Sequence, residues 1–483
     1  MTTWPPPPAA VRTRGSSCSS SWPSSPWPPR PVSSSAPSPT VVLRAGPATV
    51  RVPRVCSAES PTRVRRERSP ALSQPSREND DPGTAGRTPP AGSAPAPAPA
   101  LPPSAHQAVT FLELFFDLVW VFAISQLSEH LLEHQTWRGA GQTLVMTLAM
   151  FVIWSFTAYE STMVLARKDE ARWVVLAVMA GGLVMNASIS GAFEDASWAF
   201  VVPLVLIQVG RSAMTRTHDV YASLRRHRVS VIIWAVVSAV PWGLGALAEP
   251  EHRLLWWLAA VVIDVVGMWS VHPVPGRHHR DFSEVRFDVE HQVERCRLFL
   301  IICLGEGVLT TGRSIAADPQ DPARLAAGLA AFAVLVGVWY LFFGTGTDEV
   351  DARLVAEHGE LAMGRLATNG QQVLVIGLIA FAVSAEIVVA DPHEPLTAAA
   401  AALLAGGIVI CLVAFWGFLA LLTGRRLWPP LAAGAAGLGG VVAVCWAAAL
   451  PGVLVMAATA VCLAGTGMWY KRDAADAMRT VGA

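Results

Sequence analysis

The segment VTFLELFFDLVWVFAISQLSEHL, residues 109–131, decides the fold class of this chain. Three of its 23 residues are acidic, none is lysine or arginine, and most of the others are apolar. About 20 consecutive apolar residues are needed for a helix to cross the hydrocarbon core of a bilayer. The segment therefore predicts a transmembrane helix that carries acidic side chains.

The composition of the whole chain agrees with a membrane protein. Of its 483 residues, 52% are hydrophobic and 15% are charged. A soluble domain carries about 25% charged residues, so the composition disfavours a single soluble globular domain.

Apolar stretches of similar length recur to the end of the chain. They predict an all-α, polytopic helical membrane protein with about 12 transmembrane helices and the lipid bilayer as its surroundings. The predicted spans are 109–131, 139–164, 171–192, 196–214, 229–248, 254–272, 293–313, 325–344, 367–390, 398–422, 429–448 and 451–470.

Basic residues between the spans predict the orientation, since cytoplasmic connections carry an excess of Lys and Arg. Connections after even-numbered spans are mostly richer in basic residues, as in 216–228 and 277–286, than those after odd-numbered spans. We therefore expect a multi-pass protein of the cell membrane with both termini in the cytoplasm.

Residues 1–106 differ from the rest of the chain. They hold 24 of the 36 prolines, 18 serines, 12 arginines and only 5 acidic residues. Such a composition cannot bury enough apolar surface to fold, so we predict a disordered segment at 1–106, a transmembrane domain at 107–472 and a short cytoplasmic tail at 473–483. The basic front lacks interleaved aromatic residues and the rest of the chain is acidic, so we expect no nucleic-acid partner.

The sequence shows none of the usual signatures of a cofactor or a catalytic centre. The seven cysteines are scattered without a CxxC pair, which argues against a disulfide framework or a zinc site. Neither a phosphate-binding GxxxxGK[ST] loop nor a GxSxG elbow is present. We therefore expect neither a cofactor nor enzymatic activity.

Similar residues at matching positions of the spans favour a parallel six-plus-six internal repeat. Glu113 and Glu294 lie at corresponding ends of spans 1 and 7, and Gly-Met-Trp closes both span 6 (267–269) and span 12 (467–469). Chance is the alternative, because aromatic residues favour membrane interfaces in any case.

Ionisable side chains inside the spans are the candidate site residues. Each costs about 2.5–3.5 kcal/mol at the bilayer centre, so it must be paired or face a polar cavity. Glu113 and Asp117 share one helix face, and we expect Arg295 to pair with one of them. An interhelical salt bridge that only fixes packing is the alternative. The candidates for a polar centre are Glu113, Asp117, Asp264, Glu294, Arg295 and Glu306.

Glu306 lies nearer mid-depth in its span than Glu113 and Asp117 do in theirs. Gly305 and Gly307 flank it and would let a helix or ligand approach closely. We interpret Glu306 as a group that binds a proton or a cation.

Three residues at the start of span 7 form a weak candidate for a metal site. Asp288, His291 and Glu294 share one helical face, and their side chains are of the types that bind divalent ions. No second histidine-rich helix completes the set, so a hydrogen-bonded cluster is the favoured interpretation and no metal is expected.

Two stretches resemble signatures of the bacterial low temperature requirement protein A family. They are 109–131, with Glu113-Leu-Phe-Phe-Asp117-Leu118, and HQVERCRLFLIICLGEGVL, residues 291–309, with His291, Glu294, Arg295, Gly305 and Glu306. Cys296 and Arg297 depart from the family pattern. The resemblance implies a polytopic protein of the cytoplasmic membrane, linked by name to growth at low temperature, and implies no substrate.

The leading functional hypothesis is a secondary transporter or permeation protein for a small ion or solute. It combines twelve spans, a possible repeat and intramembrane carboxylates. Two alternatives stay open: a non-catalytic membrane protein that assists growth in the cold, and a membrane enzyme or sensor that uses Asp288, His291 and Glu294.

Overall fold

The computed structural model describes residues 109–163, 172–216, 222–276, 287–344, 356, 358–423 and 428–481, and twelve α-helices make up most of them. The helices are α1 Phe111–Glu133, α2 Trp137–Met163, α3 Arg172–Ala187, α4 Ser197–Arg216, α5 Ala222–Leu247, α6 Pro250–Ser270, α7 Val289–Ala316, α8 Pro322–Phe343, α9 Glu360–Ala390, α10 Ala398–Thr423, α11 Trp428–Ala447 and α12 Gly452–Val481. The predicted all-α class is confirmed, and each predicted span corresponds to one helix. The predicted disordered segment 1–106 lies outside the described residues.

Most of these helices have the dimensions of membrane spans. Within the described residues, ten are long and apolar enough to cross a bilayer, and α3 and α11 supply shorter apolar segments. Large apolar side chains also point outward, with Leu206 65%, Leu255 66% and Val461 72% exposed. An apolar exterior of this kind suits acyl chains rather than water, so the chain is a multi-pass membrane protein.

Local signals set several helix ends. Thr110 and Glu113 form a reciprocal capping box at the start of α1, which satisfies two backbone donors that have no partner within the helix. Asp288 caps α7, and Asp321 caps α8 just before Pro322. At the other end of the chain, α12 continues to Val481 and so includes most of the predicted tail.

The helix contacts of the first half recur between the corresponding helices of the second half. In the described part of the first half, α1 packs on α2 and α3, α2 on α4 and α6, and the pairs α3–α4, α4–α5 and α5–α6 are in contact. The corresponding pairs in α7–α12 are all in contact as well. This agreement supports the repeat that the sequence landmarks favour.

The halves meet where α1 and α2 contact α7 and α9. We call this contact region the seam. Aromatic side chains fill part of it: the rings of Trp154 on α2 and Phe299 on α7 stack with their centroids 4.9 Å apart. Both side chains are fully buried.

Candidate functional site

A buried group of polar side chains lies on the seam, near the first turns of α1 and α7 and the last turns of α2. We call Glu113, Asp117, Ser161, His291 and Arg295 the seam cluster. Arg295 Nη1 lies 3.5 Å from Glu113 Oε1, and Arg295 Nη2 lies 3.3 Å from Asp117 Oδ1. The arginine predicted to pair with one carboxylate therefore contacts both.

Helical spacing explains how the cluster forms. Glu113 and Asp117 are four residues apart on α1, and His291 and Arg295 are four residues apart on α7, so each pair shares a helix face. His291 Nε2 lies 3.1 Å from Glu113 Oε1, and Ser161 Oγ of α2 lies 2.9 Å from the same oxygen. Three helices from both halves thus converge on one carboxylate.

The cluster is shielded from solvent. Asp117 is 0% and Arg295 1% exposed. Trp154 Nε1 donates to Asp117 Oδ1 at 2.8 Å, and the Arg295 guanidinium lies 5.1 Å from the centroid of the Phe116 ring. An ion pair in such low-dielectric surroundings is electrostatically strong, but removing either partner leaves an uncompensated charge.

Hydrogen bonding in the cluster is incomplete. Oδ2 of Asp117 and Nε of Arg295 are buried and have no hydrogen-bond partner within the described residues. Buried polar atoms are usually paired, so an unpaired carboxylate oxygen calls for an explanation. A proton, a cation or a water molecule could satisfy Oδ2.

The three residues considered for a metal do not converge. The Asp288 side chain accepts a hydrogen bond from the backbone N–H of His291 at 2.9 Å and caps α7. The His291 ring is directed to Glu113 instead, and Glu294 is partly buried. Across the described ranges, no group of three His, Cys, Asp or Glu residues has the arrangement to hold a metal ion.

Glu306 lies apart from the seam cluster. It is eleven residues beyond Arg295 on α7, a rise of about 16 Å. Its Oε1 accepts from Arg313 Nη2 at 3.3 Å, with side-chain exposures of 14% for Glu306 and 67% for Arg313. Arg313 is also in electrostatic range of Glu386 on α9. Glu306 therefore belongs to a separate polar group towards the other end of α7.

Asp264 is also separate, because it is held within the first half. Its Oδ2 accepts hydrogen bonds from Gln208 Nε2 at 3.3 Å and from Trp242 Nε1 at 3.0 Å. These contacts join α4, α5 and α6 around one buried carboxylate. Of the six predicted site residues, the structure brings together Glu113, Asp117 and Arg295.

A further buried charge cluster was missing from the sequence interpretation. Glu160 on α2 forms ion pairs with Arg211 on α4 and Arg228 on α5. Glu160 is an acidic residue in the last turn of an apolar span, and that signal could have revealed it. The predicted spans put Arg228 in the connection before span 5, but α5 begins at Ala222, so Arg228 lies inside the helix and is buried.

Twelve largely apolar helices around buried, ion-paired side chains define a polytopic helical membrane protein. The family model described as bacterial low temperature requirement A protein (LtrA) matches residues 108–465, and the chain belongs to this family. The match includes all residues of the seam cluster.

The chain is also similar to a protein from Rhizobium meliloti (strain 1021). That protein is named uncharacterized protein RA0937 and is 28% identical over 292 residues, which cover 59% of this chain and 70% of that protein. Its name gives no activity, so the function has to be argued from the site.

Proposed function

We propose that this LtrA-family protein is a secondary transporter or permeation protein that moves an ion or small solute across the cell membrane. In this proposal the seam cluster is the centre that binds a proton or a cation. The observation that carries it is the buried Asp117–Arg295 pair on the seam, with one oxygen of Asp117 lacking a hydrogen-bond partner among the residues that the structure describes.

The energetics favour a function over packing alone. Buried ion pairs cost desolvation energy, and apolar residues of similar volume often stabilise a protein as well or better. Ionisable residues within membrane spans commonly mark ion pathways and proton relays. A buried cluster with incomplete hydrogen bonds stabilises helix packing poorly, but it can take up a proton or a cation.

The position of the cluster supports the same proposal. Transporters built from repeats commonly bind substrate and coupling ions where the repeats meet. Here α1 of one half supplies the two carboxylates, and α7 of the other half supplies His291 and Arg295. A small movement between the halves would change the distances within the cluster.

Polar groups at the other end of α7 would complete a pathway. Because eleven residues are close to three helical turns, Glu306 lies on nearly the same face of α7 as Arg295. Between them, Phe299, Leu300 and Cys303 are buried. We interpret this arrangement as a closed state in which apolar side chains separate the two polar groups.

Basic residues in the connections support an orientation with the seam cluster at the cytoplasmic end of the bundle. Under this orientation Glu306 and Arg313 lie towards the outer surface. The proposal assigns no catalytic reaction to the chain.

Proton flux in proteoliposomes tests the proposal. The liposomes would enclose a pH-sensitive dye, and a potassium diffusion potential set with valinomycin would drive the flux. We expect protein-dependent acidification in the native chain and its loss in Asp117→Asn, which keeps the shape of the side chain but removes its charge. Glu133→Gln, at an exposed position of the same helix, is the matched control and should retain flux.

Sodium and potassium gradients would be imposed in parallel, with the corresponding cation flux as readout. The native protein could give no more proton, sodium or potassium flux than empty liposomes. In that case the better hypothesis is that the protein assists growth in the cold without transporting these ions. Equal flux in Asp117→Asn and the native chain would remove the seam cluster from the mechanism.

A further inference from the structure

A pocket between the first half of the bundle and α9 lies outside the seam cluster. It is formed where α2 and α6 end and α5 and α9 begin, and its volume is about 870 Å³ including its open mouth. Its lining includes the polar side chains of Glu160, His227, Arg228, His272, Arg365 and Asn369. We call it the arginine pocket.

Basic side chains outnumber acidic ones among the pocket residues that the structure describes. Glu160 pairs with both Arg211 and Arg228. These arginines are only 3% and 6% exposed. Arg365 adds a third guanidinium, whose Nη2 donates to the carbonyl of Trp269 at 2.6 Å. Among the lining residues that the structure describes, Glu160 is the only acid.

Two buried nitrogen atoms near the pocket lack a hydrogen-bond partner among the described residues. They are Nε of Arg211 and Nδ1 of His272. His272 lines both the arginine pocket and a narrower cavity behind it, where Arg211 forms part of the wall. Buried excess charge is costly unless it is matched. An oxyanion could accept charge-assisted hydrogen bonds from such groups.

The backbone at the pocket is strained. Val271 and His272 have φ angles of 62° and 48°, in the left-handed region that L-residues avoid at a cost of about 1–2 kcal/mol each. A β-branched residue such as Val271 is an outlier there. Strain of this kind persists when the surroundings hold it in place, and it is concentrated at ligand sites.

The second half shows that the fold does not require the buried charges. There α8 and α10 correspond to α2 and α4, and Phe342 packs against Phe415 with ring centroids 5.2 Å apart. In the first half, α2 and α4 are joined by the ion pair between Glu160 and Arg211. An aromatic contact can therefore pack this pair of helices, which leaves the ions in the first half without a purely architectural explanation.

We propose that the arginine pocket binds the oxyanion group of a small anionic ligand, a phosphate or a carboxylate. The same chemistry could be presented by a soluble solute or by the headgroup of an anionic lipid. This binding site is independent of the proposed transport activity and stands even if no flux is found.

Thermal unfolding of the full chain in a neutral maltoside detergent tests for the soluble ligand. The probes are inorganic phosphate, glycerol 3-phosphate and succinate, with glycerol as the neutral control. We expect saturable stabilisation by at least one anion and none by glycerol, because a ligand that binds only the folded state raises its stability.

Three substitutions locate the binding. Arg228→Gln should weaken the apparent affinity about tenfold or more, the scale of a lost hydrogen bond to a charged group. Arg226→Gln removes the same charge from an exposed position two residues away and should have little effect. Asn369→Asp adds a carboxylate to the pocket without removing a guanidinium, so it should also weaken binding and stays informative if Arg228→Gln fails to fold.

Nanodiscs distinguish a lipid headgroup from a soluble ligand. A melting temperature higher in phosphatidylglycerol discs than in phosphatidylcholine discs, with the gain lost in Arg228→Gln and Asn369→Asp but kept in Arg226→Gln, would identify a lipid headgroup. The proposal is overturned if neither soluble anions nor anionic lipid stabilise the native protein. It is also overturned if Arg226→Gln loses as much stabilisation as Arg228→Gln, since general surface charge would then explain the effect.

Discussion

Glu160 and Ser161 are consecutive residues of α2, yet they belong to two different buried clusters. Glu160 pairs with Arg211 and Arg228 beside the arginine pocket, whereas Ser161 hydrogen-bonds Glu113 and Arg295 in the seam cluster. Neighbouring residues of a helix project about 100° apart, so the last turns of α2 form a wall shared by both clusters.

Substitutions at these two positions should therefore have separate effects. Glu160→Gln removes the only acidic group lining the pocket among the described residues, so binding of the anion probe should tighten. Ser161→Ala removes a hydroxyl that contacts both members of a buried ion pair, and should lower the unfolding free energy by about 1–3 kcal/mol.

Probe titrations and chemical unfolding of both variants check this separation. Ser161→Ala should leave the affinity for the probe unchanged, and so serves as the control for Glu160→Gln. Weaker probe binding in Glu160→Gln would contradict the charge argument for the pocket.

The ion pair between Arg295 and Asp117 should behave as one energetic unit. Arg295→Gln and Asp117→Asn should each destabilise the protein by about 3–5 kcal/mol, because each leaves a buried charge uncompensated. The double variant should lose less than the sum of the two, since contacting residues are not additive. Arg313→Gln, at a side chain that is 67% exposed, is the control and should change stability little. An additive double-mutant cycle from denaturant unfolding would reject the coupling.

Exchanging the charges of Glu113 and Arg295 tests the second ion pair of the seam cluster. Arg295→Glu should destabilise the protein strongly, and adding Glu113→Arg should restore part of the stability through a pair of inverted sign. The measurement is the unfolding midpoint of the purified variants. A double variant no more stable than Arg295→Glu would mean that Asp117, rather than Glu113, dominates the interaction with Arg295.

The sequence predicted the helices well because span length and hydropathy are local properties. The pairing of Arg295 was also predictable, since two carboxylates four residues apart in one span require a cation in another. The Glu160 cluster was not, because it depends on how α2, α4 and α5 pack. The cluster also depends on where α5 begins. The helix starts at Ala222, seven residues before the predicted start at 229, so Arg228 lies in the helix and is buried.

Close packing between α9 and α10 yields a prediction about stability. A Cβ placed at Gly377 would lie 2.6 Å from the carbonyl oxygen of Gly407, and backbone cannot yield as a flexible side chain can. Gly377→Ala should therefore lower the melting temperature clearly, by the equivalent of about 1–3 kcal/mol. Gly406→Ala is the matched control, because a Cβ there meets nothing within 4 Å. Equal melting temperatures for both variants would show that the helices separate freely at this point.

Glu306 provides the last prediction, because its position separates a role in flux from a role in folding. Its side chain is mostly buried at 14% exposure, but its partner Arg313 is largely exposed, so the pair is held far less tightly than the seam cluster. The unfolding free energy of Glu306→Gln should therefore lie within about 1 kcal/mol of that of the native protein.

If Glu306 takes up the proton or cation from outside, the same variant should lose pH-dependent flux in proteoliposomes. Asp318→Asn, at an exposed site beyond the end of α7, should keep that flux. Native flux in Glu306→Gln would restrict the ion-binding role to the seam cluster, whereas a large loss of stability would indicate that Glu306 serves packing.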